Sequence, residues 1–130
     1  MKKKVLVFGA TGNLGAPIAV YLKENGYDVI AVGHRTSDNG FFGEIGIPYY
    51  SVNIEREEDF NKLPTKDIYA VAHFASSLPS RYEYDPVELF ESITIGTLNV
   101  LKWMNKIGCK KIVFPQTPSD MDSYHNCGKV

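Results

Sequence analysis

The chain has 130 residues, 44% of them hydrophobic and 22% charged, with a formal net charge of −1 at pH 7. That length suits one domain with one core, and the charge balance leaves no basic excess for a polyanion such as nucleic acid. No apolar run approaches the about 20 residues of a bilayer span, Cys109 and Cys127 stand in no metal or redox spacing, and His34, His73 and His125 lie on separate segments. The expectation is a cytoplasmic protein with free thiols and no metal.

Lys2, Lys3 and Lys4 precede only four apolar residues, too few for a secretion signal, and read as the solvated start of a strand. Residues 4–22 (KVLVFGATGNLGAPIAVYL) then form a strand, a tight turn and a helix. Gly9, Gly12 and Gly15 differ from the dinucleotide fingerprint GxGxxG by one residue in the first gap. The physics is shared: a turn that a Cβ would block, a close approach of backbone to pyrophosphate, and tight helix-strand packing. Leu14, Ile18, Tyr21 and Leu22 recur at helical spacing, with Pro17 in the opening turn. Gly9, Thr11, Gly12, Asn13, Leu14 and Gly15 are the expected diphosphate contacts, using the unpaired amides at the helix start.

Asn25 and Gly26 stop this helix, and residues 28–32 (DVIAV) form a second buried strand. Gly33, His34, Arg35, Thr36 and Ser37 follow, where a dinucleotide fold places an acid against the adenosine ribose. A carboxylate there would bond the ribose hydroxyls of NAD and repel the 2′-phosphate of NADP. A glycine, a cation and hydroxyls favour NADP over NAD, with Arg35 as principal contact and His34, Thr36 and Ser37 as helpers. Residues 38–46 read as a short irregular helix whose Phe41 and Phe42 enter the core, and residues 48–52 (PYYSV) as a third strand. Asn53 beyond it can meet the adenine amino group or cap a following helix that opens on Glu55, Glu57 and Glu58; Ile54 is grouped with it as a cofactor contact.

Residues 68–74 (IYAVAHF) form a fourth strand, apolar enough for burial on both faces, with His73 a satisfied core residue. Phe74, Ala75 and Ser76, with Ser77, form a wall of mostly small residues at the crevice outside the strand ends. Arg81, Tyr82 and Tyr84 lie on a loop that is either simply exposed or meets substrate. Asp85, Pro86 and Glu88 signal a helix start, Val87, Phe90, Thr94, Thr97, Leu101 and Met104 run along one face, and Gly108 ends the helix. Residues 111–114 (KIVF) are a fifth strand. The alternation argues for an α/β fold, a Rossmann-type doubly wound parallel sheet of five strands in order 3-2-1-4-5, layered α/β/α with right-handed crossovers.

Three segments in this order, GATGNLG at residues 9–15, AVAHFASS at 70–77 and GTLNVL at 96–101 with its following G-x-x-K-I-V-F, resemble the extended short-chain dehydrogenase/reductases, in their NAD(P)-dependent epimerase/dehydratase branch. The resemblance covers nearly the whole chain and only the first half of such an enzyme. It implies an NAD(P)-binding domain, a second lobe for a substrate that is often a nucleotide sugar, and pairing of two copies through the helix of residues 86–107 and the one after the fifth strand, of which only the former is expected here. It also implies hydride transfer assisted by a tyrosine and a lysine four residues later, the lysine favouring the phenolate. No Y-x-x-x-K occurs: Tyr124 and Lys129 are one residue too far apart. Ile93 stands where the family has an asparagine, and Thr117, with Ser119 as fallback, is the positional match to the catalytic hydroxyl. These departures predict the amino-terminal portion of a longer enzyme, truncated after the fifth strand and inactive alone. A free-standing NADP(H)-binding or sensing module is the alternative.

Overall fold

The computed structural model describes residues 2–76 and 85–115. Strand β1 (Lys4–Phe8) sends Val5 and Val7 to one face and Leu6 and Phe8 to the other, and all four are buried. A strand apolar on both faces has to be covered twice. It pairs in parallel with β2 (Asp28–Gly33) and β4 (Ile68–His73), while β3 (Tyr49–Ser51) extends the sheet beyond β2 and β5 (Ile112–Val113) beyond β4. The order β3-β2-β1-β4-β5 is the expected one. It reverses direction at β1 and β4, so a crevice opens outside their carboxyl ends.

On one face Val5, Val7, Val29 and Ala31 pack with Ala19 of helix α1 (Gly15–Glu24) and Phe42 of the single-turn helix α2 (Phe41–Glu44). On the other, Leu6, Phe8, Ile30, Val32 and Val71 lie beneath Val100, Trp103 and Met104 of α3 (Pro86–Ile107) and Phe60 of a 3-10 helix (Glu57–Lys62). At the opposite end of the sheet from the crevice, the ammonium groups of Lys3 and Lys111 stand 4.6 Å and 4.0 Å from the centre of the Tyr69 ring. No helix among the described residues is long and apolar enough to cross a membrane.

Four local expectations are corrected. Helix α3 buries Ser92, Gly96, Asn99, Val100, Trp103 and Met104, whereas Val87, Phe90 and Leu101 of the expected stripe are exposed. The helix is apolar on two sides, and the sheet takes the side whose small residues admit close approach. A Cβ on Gly96 would stand 2.5 Å from Ile54 Cδ1, and Asn99 Nδ2 donates to the Ile54 carbonyl at 2.8 Å. After β3 the chain winds as a 3-10 helix with Arg56 as N-cap. Asn53 caps no helix: its Oδ1 accepts from the Glu55 amide at 3.0 Å, closing a turn of its own. Only Phe42 of the α2 pair is buried, because a helix of one turn presents one ring to the core. Strand β5 has two exposed residues in place of four, pairing only with Val71 and Ala72.

The Asn99 bond joins α3 to the segment beyond β3 where water cannot substitute. Asn99→Ala is expected to lower the unfolding free energy by about 1–3 kcal/mol by orphaning a buried carbonyl, read from urea denaturation followed by circular dichroism.

Candidate functional site

Gly9 leaves β1 with φ of 77°, a left-handed conformation that side chains disfavour. A Cβ there would also stand 2.5 Å from the Phe74 carbonyl carbon, and one on Gly15 would overlap the Gly9 carbonyl. The turn is therefore wedged backbone against backbone. Ala10 N donates to Val32 O at 3.0 Å and Phe74 N to Phe8 O at 2.9 Å, which ties the turn and its strand to the ends of β2 and β4. Helix α1 starts with neither a side-chain cap nor an acid in its first turn. Ala16 N donates to Gly12 O at 3.2 Å and Pro17 has no N–H, so the amide of Gly15 and the positive end of the dipole are what the helix start offers an anion.

Above this turn lies a cavity of about 720 Å³, within the range of small-molecule and cofactor sites. Gly9, Thr11, Gly12, Asn13, Leu14 and Gly15 line it, with His34, Asn53 and Ile54, and with Phe74, Ala75 and Ser76. Twelve of the fifteen residues expected to hold a cofactor thus meet in one place. Arg35, Thr36 and Ser37 do not line the cavity; they are exposed on the turn just beyond His34. Ser37 Oγ accepts from the Asn39 amide at 3.0 Å. Asp38, the first acid after β2, accepts from the Phe42 amide at 2.8 Å and the Gly40 amide at 3.1 Å. The Phe42 amide above all holds this carboxyl below its usual value, so the charge is committed to α2. Thr117, Ser119, Tyr124, Lys129, Ser77, Arg81, Tyr82 and Tyr84 lie outside the described residues.

Several lining residues were not assigned to the site from the sequence: Ser92, Ile93 and Thr97 of α3, and Phe114 and Pro115 after β5. Thr97 Oγ1 lies 2.9 Å from Nε2 of His73, while Nδ1 of this histidine has no hydrogen-bond partner among the described residues. His73 is a core residue as expected, but only half satisfied. The Phe8 and Phe114 rings stand at 6.1 Å and 5.4 Å from its own. The GTLN run of residues 96–99 is the sequence signal for these contacts, since it carries both Thr97 against His73 and Asn99 against Ile54.

A family model described as the NAD dependent epimerase/dehydratase family matches residues 5–123. A putative UDP-glucose 4-epimerase of Methanocaldococcus jannaschii is 32% identical over 111 residues, covering 85% of this chain and 36% of that protein. Among solved structures, UDP-glucose 4-epimerase from Stenotrophomonas maltophila with bound NAD and formylated UDP-arabinopyranose superposes with a TM-score of 0.77. It is 28% identical, over 90% of this chain and 38% of that one. The UDP-glucose 4-epimerase of Thermus thermophilus in complex with NAD gives 0.71 at 29% identity, over 88% and 37%. The chain spans about a third of the length of these relatives.

Burial lowers the His73 pKa from 6.5 to about 4, so the ring is neutral near pH 7. Unfolding exposes it at its ordinary value, and the unfolded chain binds the extra proton between those two limits. Stability from this group is complete above pH 6.5 and declines as pH falls toward 4. Lowering the pH from about 7.5 to about 5 is expected to cost about 2 kcal/mol. Thermal melts of the native chain and of His73→Gln should show the variant less sensitive over that interval.

Proposed function

Because the chain belongs to the NAD dependent epimerase/dehydratase family, we propose that it is the cofactor-binding portion of an epimerase, dehydratase or reductase that acts by hydride transfer on a nucleotide-sugar-like substrate, using NADP in preference to NAD. The observation that carries this reading is the uncapped helix start behind a glycine turn that no side chain can enter. Backbone amides of residues 13–15 hold the diphosphate, that of Gly12 being spent on the Gly9 carbonyl. Asn53 and Ile54 border the adenine, and Phe74, Ala75 and Ser76 form the wall beside the nicotinamide. When bound, the nicotinamide supplies the hydride acceptor and donor. Thr117 or Ser119 offers a hydroxyl to the substrate; the resemblance supports that role.

The NADP preference rests on the turn after β2. Its nearest carboxylate, Asp38, is held by the amides of α2, while Arg35 is exposed at the rim beside His34. An exposed guanidinium there can swing onto a 2′-phosphate, with Thr36 and Ser37 adding hydroxyl donors. Fluorescence titration should show NADPH bound about tenfold more tightly than NADH, and Arg35→Ala should remove most of that difference while sparing NADH. Tighter binding of NADH by the native chain would refute the preference.

We also propose that two copies pair through α3. Val87, Phe90, Leu98 and Leu101 are all exposed on that helix, and an apolar side of this kind marks an association surface. Light scattering should report a dimer for the native chain and a monomer for Leu101→Glu, with the circular dichroism spectrum unchanged.

A further inference from the structure

Gly33, the last residue of β2, is buried, and the space a side chain would need beside it is already filled. A Cβ at position 33 would stand 2.7 Å from the Tyr49 hydroxyl and 2.9 Å from Thr11 Cγ2. Tyr49 comes from the neighbouring strand, where β3 pairs Ser51 with Gly33 and Tyr49 with Ala31. Its ring stacks on Phe42 with centroids 6.0 Å apart and an interplanar angle of 7°, and Phe42 is itself buried. The ring position is thus fixed from below. Its hydroxyl donates to the Arg35 carbonyl at 2.5 Å, pinning the backbone of the turn that carries His34 and Arg35. Burial, reinforced by the Asp38 carboxylate, raises the phenol above its ordinary value, so the donor keeps its proton.

We propose that Tyr49 is a positioning residue for cofactor choice: its hydroxyl fills the space in which a carboxylate on residue 33 would reach the adenosine ribose, and its bond to the Arg35 carbonyl holds the cationic turn at the 2′ position. This rests on the dinucleotide reading above and extends it. Position 33 ends the strand at the place where a ribose-binding acid would project. Exclusion and latch are two effects of one atom. Removing that atom loosens the turn, and it takes away the nearest obstacle to the acid, leaving the Thr11 side chain, with Cγ2 at 2.9 Å and Oγ1 at 3.1 Å, to rotate aside.

The test measures NADPH and NADH affinities and melting temperature for the native chain, Tyr49→Phe, Gly33→Asp and the double variant. Tyr49→Phe should reduce the NADPH:NADH preference by about fivefold, the worth of one hydrogen bond, with little change in melting temperature because the bond lies at the surface. Gly33→Asp alone should melt lower and gain no NADH affinity. The double variant should recover part of the lost melting temperature, the Thr11 side chain still having to shift, and bind NADH about tenfold more tightly than the native chain does. An unchanged preference in Tyr49→Phe would overturn the role of Tyr49 alone, as would Gly33→Asp gaining NADH affinity at native stability. Failure of the native chain to bind either nucleotide would overturn the dinucleotide reading and this inference together.

Discussion

The contact on which the architecture depends is backbone on backbone: Gly9 against the peptide of Phe74 and Ala75, with Gly15 against the carbonyl of Gly9. No side chain intervenes, so the exits of β1 and β4 and the start of α1 converge more closely than any other residue pair would allow. Hydrogen bonds from Ala10 to Val32 and from Phe74 to Phe8 extend the same junction to β2. The cavity is what remains above three chain segments drawn to one point. Its floor presents amides because the junction tolerates nothing bulkier.

The walls follow from the two-sided burial of β1. One layer supplies α1 and its dipole; the other supplies α3, which brings Thr97 to His73 and Asn99 to Ile54. His73 sits where β4 turns into the cavity wall, buried enough to remain uncharged. An uncharged ring at this place keeps the inner end of the cavity apolar, beside Phe8 and Phe114. The anion-seeking amides lie on the floor and His34 on the rim, while Ser76, Ser92 and Thr97 add hydroxyls to the walls.

Much of this was legible in the residues. Strand β1 followed from an unbroken apolar run, and the spacing of Gly9, Gly12 and Gly15 identified the turn because its constraint is local. What escaped was tertiary. Helix α3 carries apolar residues on two sides, and periodicity cannot choose between them; Ser92, Gly96 and Asn99 mark the buried side only once Ile54 is known to press against it. The partnership of Gly33 with Tyr49 joins adjacent strands across a register that no single-strand pattern encodes. Asn53 offered two local uses, and its own short turn satisfied its carbonyl before any helix could.

Ile54 touches both parts of this arrangement. Its carbonyl is tethered by Asn99, its side chain rests where Gly96 has none, and its outer surface borders the cavity. Helix α3 cannot slide along its axis or roll without dragging that border with it. A clamp applied to the outward side of the helix is consequently also a brace across the mouth of the cleft, stiffening from behind an opening that the clamp never reaches.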